Sequence, residues 1–283
     1  MKKAINYWSF PGGLEGKKSV LECLQEAKAA GFDGVELALF MEGEVSMTST
    51  KEDMERILTW ADQVGVKICS VATGLYWDYN FSSSDKGKVS MAKDITVKLL
   101  ELASYLKVDT VLVVPGAVDV FFNPASEVVP YDVVYNRCLA AMKELAPVAE
   151  KYKVSIGIEN VWNKFLLSPI ETRNFVDEVG SDYVGVYFDV GNVLRTGYPE
   201  HWIRILGNRI KKVHFKDFRL ACGNDSGFVD LLEGDVNWLE VMKALRDIGY
   251  DDYVVAEMIP HYTHCPEARI VITSHAMDSI LLL

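Results

Sequence analysis

Paired cysteines are missing from this sequence. Its five, Cys23, Cys69, Cys138, Cys222 and Cys265, are odd in number, scattered, and never spaced as CxxC. That excludes a disulfide scaffold and a thiolate zinc site, and reads as reduced thiols in a cytoplasmic protein. No apolar run is long enough to span a bilayer. The opening MKKAINYWSFPGG carries two lysines but no apolar h-region, so neither a membrane nor a secretory route is expected. Positive charge is short as well: the net charge is −11 with no basic patch, which argues against a nucleic-acid partner. No GxGxxG follows the first strand-like run, which removes the main reason to expect a dinucleotide fold, and no glycine-rich phosphate loop is present. A linker rich in Pro, Gly or Ser is also lacking, so one domain covering residues 1–283 is expected. A homo-oligomer is compatible with this composition.

What is present is an alternation. Eight runs rich in β-branched and aromatic residues read as strands: 4–10, 34–39, 66–72, 109–116, 154–160, 184–190, 210–217 and 253–259. Helical patterns lie between them. Residues 17–30 put Val20, Leu21, Leu24 and Ala27 on one stripe and stop at Gly31, and residues 235–249 put Trp238, Val241, Met242 and Leu245 on one face and stop at Gly249. In SPIET, Ser168 reads as an N-cap, with Pro169 first in the helix and Glu171 closing a capping box. The phrase "helix, Gly, aromatic or Val, Asp, strand" recurs as AAGFDGVEL, YLKVDTVLV and DIGYDDYVV, a repeated αβ-loop. Strict β–α alternation with apolar strands means a parallel sheet covered by helices. Eight units in 283 residues fit an α/β fold that is a single (β/α)8 TIM barrel.

Glu159 in VSIGIEN, Asp189 in VGVYFDVGN, His214 in IKKVHFKD and Glu257 in YVVAEM each close one of four consecutive apolar runs. In a barrel those ends face the mouth where chemistry occurs. Any one of them alone has a structural reading: an acid after a strand often caps a helix, and a lone histidine is often a hydrogen-bonded core residue. Four in succession point to a metal site. Three carboxylates about 5 Å apart repel by roughly 3 kcal/mol per pair at an effective dielectric of about 20, and a divalent ion neutralises them. Oxygen donors with one nitrogen favour Mn²⁺, with Mg²⁺ or Co²⁺ as alternatives.

The segments IENVWNKFLLSP, YFDVGN, GNRIKKVHFKDF, EGDVNW and EMIPHY, with PEARIVITSHAMD, resemble the sugar-phosphate isomerase/epimerase superfamily of xylose isomerase-like TIM barrels, and its ketose 3-epimerases in particular. The likeness covers essentially the whole chain and does not select one substrate. It implies that Glu159, Asp189, His214 and Glu257 hold one metal, and that Glu159 and Glu257 are the catalytic pair on opposite faces of a ketose or ketose phosphate. One carboxylate removes the proton next to the carbonyl to give a cis-enediolate, and the other returns a proton with inversion. Two positions depart from the free-ketose epimerases: Asn192 stands where they usually carry histidine, and Leu166 where they often carry glutamate. Arg219 matches their substrate arginine, with its spacing from His214 altered by one. Lys216 could bind a hydroxyl or phosphate, or pair with Glu257 or Glu233. Glu36, Asn6 and Trp162 are further substrate-binding candidates, and Trp8 and Trp77 could join Trp162 in a stacking wall. Aldose–ketose isomerisation and keto-sugar lyase or dehydratase chemistry fit the same site. An apurinic endonuclease-like phosphodiesterase is a remote alternative, since it needs more histidines at the mouth than His214.

Overall fold

The computed structural model describes residues 1–283. Eight parallel strands close into a barrel: β1 (Lys2–Asn6), β2 (Gly34–Leu39), β3 (Lys67–Thr73), β4 (Thr110–Val113), β5 (Ser155–Glu159), β6 (Val184–Asp189), β7 (Ile210–Phe215) and β8 (Tyr253–Ala256). Each strand follows its neighbour in sequence around the ring, and β8 closes it against β1. Helices α1 (Val20–Ala30), α2 (Lys51–Val64), α3 (Lys86–Tyr105), α4 (Tyr131–Tyr152), α5 (Pro169–Val179), α6 (Pro199–Leu206), α7 (Trp238–Asp247) and α8 (Ala268–Leu281) pack outside. The protein is a (β/α)8 TIM barrel. No helix is long and apolar enough to cross a membrane.

Several strands end sooner than the sequence reading has them, 109–116 for example narrowing to Thr110–Val113, and two differences have clear local reasons. The first run was expected to stay extended to residue 10. Instead the strand ends at Asn6, whose Oδ1 accepts Trp8 N–H at 2.6 Å and turns Tyr7–Ser9 into a 3₁₀ turn. The α5 cap is half of the expected box: Ser168 Oγ accepts Glu171 N–H at 3.2 Å, but Glu171 Oε2 takes the N–H of Leu167, one residue ahead of the cap.

The repeated αβ-loop is a left-handed helix terminus. At Gly31, Lys107 and Gly249 φ is 90°, 58° and 72°. The next residue's N–H reaches back to the last helical turn each time: Phe32 to Ala27, Val108 to Ala103 and Tyr250 to Leu245, at 3.0, 3.1 and 2.9 Å. That is the Schellman pattern, and the residue after the turn is the apolar one that packs against the barrel. Lys107 is the lysine in a place where glycine is otherwise used. An L-residue in this conformation costs about 1–2 kcal/mol, part of which glycine loses back as chain entropy. Lys107→Gly should therefore raise stability by about 1 kcal/mol, a Tm gain of about 2–4 °C by thermal melting. A fall in Tm would show that the lysine side chain contributes more than the backbone strain costs.

Register sets what meets inside the barrel. Glu159 pairs with Tyr187 between β5 and β6, and Asp189 pairs with His214 between β6 and β7. Alternation along β7 then sends Lys212, His214 and, just past the strand, Lys216 to the interior at three successive heights. Low in the barrel, Lys212 is 1% exposed and pairs with Asp109 at 3.1 Å and with Asp252. The upper end is where the acids collect.

Candidate metal centre and mouth

Glu159, Asp189, His214 and Glu257 meet at the C-terminal end of the barrel, with one donor atom from each lying within 4.8 Å of all the others. All four are buried. Glu257 was expected within the last strand. It lies one residue past Ala256, but its N–H still donates to Phe215 O at 3.2 Å, which holds it against β7.

His214 is oriented from below. Its Nε2 lies 2.7 Å from Glu36 Oε1, and its Nδ1 faces Glu257 Oε2 at 3.3 Å, Glu159 Oε1 at 3.7 Å and Asp189 Oδ2 at 4.0 Å. With Nε2–H donated to Glu36, Nδ1 is turned into the cluster, the carboxylate–histidine arrangement that supports a metal ligand once Nδ1 gives up its proton. Glu36 is itself fully buried. It accepts from Asn6 Nδ2 at 2.5 Å, from Ser70 Oγ at 2.7 Å and from the Tyr187 hydroxyl. Asp189 is fixed by two asparagines. Asn160 exchanges a pair of bonds with its backbone at 2.8 and 2.9 Å, and Asn192 N–H donates to its Oδ1 at 2.8 Å. Gly191 lets that loop close over β7: a Cβ there would lie 2.8 Å from Lys216 O.

The charges do not balance among themselves. Burial pushes Glu159 up to about 7, aided by the charge of Glu257 and opposed by His214 and Lys216. Asp189 is also raised, first by burial and then by Glu257, against Lys216. Burial would lower His214, but Glu36 and then Glu159 and Glu257 hold its proton well above the ordinary imidazole range. Burial would raise Glu257, yet Lys216 and His214 outweigh it and keep the carboxylate ionised. Lys216 Nζ sits 2.7 Å from Glu257 Oε2 and 3.3 Å from Asp189 Oδ2. Even so, Asp189 Oδ2, His214 Nδ1 and Glu257 Oε2 are buried without a hydrogen-bond partner; the Lys216 contact to Glu257 is an ion pair without hydrogen-bond geometry.

A divalent cation fits this set. Three buried carboxylates share only Lys216 and His214, and polar atoms aimed at one another are left without hydrogen bonds, which calls for a further positive charge. Donors about 2.0–2.4 Å from a common ion lie no more than about 4.8 Å apart, and these satisfy that limit. Three oxygens and a nitrogen are a set for a hard or borderline ion.

Above the cluster opens a cavity of about 860 Å³, with Glu159, Glu257, Asn192 and Lys216 in its floor. Trp8, Trp77 and Trp162, expected as a stacking wall, all line it, joined by Phe121, Phe122 and Phe228, which the sequence reading did not single out. Three expected substrate contacts lie elsewhere. Glu36 and Asn6 are buried beneath the cluster, with Asn6 committed at both ends to Glu36 and Trp8. Arg219 is exposed and donates to Glu233 O at 2.8 Å. It lies beyond the short ladder of Asp217–Phe218 with Phe228–Val229, where one residue's change of spacing turns a side chain to the other face. Leu166 is a core residue, 4% exposed. Lys164 pairs with Asp119 at 2.6 Å. His261, beyond the last strand, is half-buried with Nε2 against Trp8 O at 2.8 Å.

Residues 24–278 match the family described as xylose isomerase-like TIM barrel. The chain belongs to that family. Among its curated relatives is a D-psicose 3-epimerase of Enterocloster bolteae, 26% identical over 259 residues, covering 89% of this chain and 79% of that one. Another is a putative L-ribulose-5-phosphate 3-epimerase of Escherichia coli, 26% identical over 265 residues, covering 88% and 87%. Of solved structures, a D-psicose 3-epimerase from Clostridium cellulolyticum with D-tagatose superposes with a TM-score of 0.78 over 99% of both chains, at 20% identity, a likeness of fold.

Ser70 and Tyr187 were missed as supports, although Tyr187 lies two residues before Asp189 and so shares its inward face. Replacing Glu36 with glutamine removes the charge that holds His214 while keeping the shape. Mn²⁺ affinity should fall about 10–100-fold by calorimetry. Affinity within about threefold of wild type would reduce Glu36 to a barrel filler.

Proposed function

We propose that this protein is a divalent-metal-dependent epimerase of a keto sugar, with Glu159 and Glu257 as the proton-transferring pair. One observation carries the reading. Two buried carboxylates, from the end of β5 and just past β8, three strands apart around the ring, converge on one cluster beneath an open cavity. Relatives named as ketose and ketose-phosphate 3-epimerases support it.

The ion, Mn²⁺ by donor type, would be held by Glu159, Asp189, His214 and Glu257. When bound it supplies a Lewis acid that polarises the sugar carbonyl and acidifies the neighbouring C–H. The rest falls to side chains. One glutamate, ionised, accepts the C–H proton from its face of the sugar; the other, protonated, returns a proton to the opposite face, and the carbon inverts. Lys216 keeps Glu257 ionised and adds a donor at the floor, and Asn192, fixed against Asp189 and Asn160, shapes the wall beside it. Two acid–base groups from different parts of the ring suit inversion. Isomerisation between neighbouring carbons on one face needs only one. The five free thiols, three of them buried, are consistent with a cytoplasmic enzyme.

Glu159→Gln and Glu257→Gln keep an oxygen at each position and remove the base. Each should lower kcat for epimerisation by about 10²–10⁴ with weaker effects on sugar binding. In D₂O the wild type should place deuterium at the inverted carbon. Each variant should lose inversion while exchanging that hydrogen only in the epimer that presents it to the remaining glutamate. Two variants that both epimerise within about tenfold of wild type, ~1.4 kcal/mol of transition-state stabilisation, would refute the assignment.

A further inference from the structure

We infer that the sugar turned over at this site bears an apolar, planar substituent, and that the outer part of the cavity is the subsite that receives it. The inference rests on the proposed function only for placing the sugar ring at the metal-binding floor.

Size is the first consideration. A cavity of about 860 Å³ lies toward the upper end of the range for drug-sized ligands and leaves a large space beyond a monosaccharide seated on Glu159 and Glu257. The character of that space changes abruptly with height. The floor holds the acids, Lys216 and Asn192. Above it runs a wall of aromatic rings in mutual contact: Trp77 to Phe122 at 5.1 Å, Phe122 to Phe121 at 5.1 Å, Phe121 to Trp162 at 5.7 Å and Trp162 to Phe228 at 5.0 Å between centroids.

The wall offers little to hydroxyls. Thr73 Oγ1 already donates to Leu39 O at 2.8 Å, Trp162 Nε1 to Asn192 O at 2.9 Å and Asn192 Nδ2 to Asn160 O at 3.0 Å. Asp225 and Ser226 at the rim and the indole N–H groups of Trp8 and Trp77 are the polar side-chain groups left. A second sugar ring there would leave most of its hydroxyls without protein partners, at a cost per buried group of about 1–3 kcal/mol. A phosphate fares no better. Lys216 is the one cation in the lining and is committed to Glu257 and Asp189, while Lys164 and Arg219 are engaged elsewhere. No first turn of an α-helix lines the cavity either, so it lacks the anion site that a helix N-terminus would offer.

The wall is also held in place. Phe121 and Phe122 are 43% and 53% exposed on the long connection from β4 to α4. That connection is tied to the loop after β5 by Asn163 Nδ2 to Gly116 O at 2.7 Å and Val118 N to Asn163 O at 2.9 Å. Long loops of this kind in compact domains are usually functional, and a ligand that covers these rings recovers their apolar burial.

The test titrates Mn²⁺-loaded protein by calorimetry with phenyl β-D-glucopyranoside, methyl β-D-glucopyranoside, D-fructose and D-fructose 6-phosphate. The phenyl glycoside should bind more than about tenfold more tightly than the methyl glycoside. Phe122→Ala and Trp77→Ala should each bring the two within about threefold, with one Mn²⁺ per chain retained. Equal binding of the two glycosides, tightest binding of the phosphate, or no glycoside binding overturns the inference. So does a Phe122→Ala variant that dissociates an oligomer without altering the ratio, which would give the rings to a subunit contact. Failure of the epimerase reading shows separately: Mn²⁺ would not bind, or no keto sugar would be epimerised, while the phenyl preference and its loss in the wall variants would persist.

Discussion

Like charges buried side by side are the constraint around which this barrel is organised. Glu159, Asp189 and Glu257 meet where water is largely excluded, and nearby structure is arranged to make that tolerable. Lys216 is drawn in from the end of β7. His214 takes its charge from Glu36 below and faces the acids above. Glu36 in turn needs Asn6, Ser70 and Tyr187 to satisfy its own oxygens. The result is a column of polar groups through the upper barrel, in a fold whose interior is usually filled by branched apolar residues. The column still leaves Asp189 Oδ2, Glu257 Oε2 and His214 Nδ1 without hydrogen-bond partners, and that deficit, with three carboxylates against Lys216 and His214, is the physical case for a cation.

Much of this was legible in the sequence because barrel strands repeat a simple rule. Apolar runs bounded by turn residues gave the eight strands, and the parallel register then makes their ends coincide, as with Asp189 beside His214. The helix termini were legible for the same local reason: Gly31 and Gly249 mark left-handed turns, and Lys107 holds the same conformation without glycine. Where reading failed, the decisive contacts were distant. Glu36 meets Ser70 34 residues away, Tyr187 151 away and His214 178 away, and nothing in its neighbourhood of sequence distinguishes a sugar ligand from a support beneath a histidine. Arg219 failed differently, by the one-residue change of spacing that already set it apart.

The mouth was the least legible part. Phe121 and Phe122 lie in a connection with no periodicity, and their meaning comes only from Trp77 and Trp162 reaching them from the loops after β3 and β5. A barrel of this kind separates its tasks by height: the strands fix the acids, and the loops choose what those acids meet.

The central claim is that the four converging side chains form one metal centre. Anomalous diffraction at the manganese edge from crystals grown with Mn²⁺ tests it most directly. A single strong peak bonded by Glu159, Asp189, His214 Nδ1 and Glu257 is the predicted result. A peak elsewhere, or none with those side chains ordered as described, would contradict it.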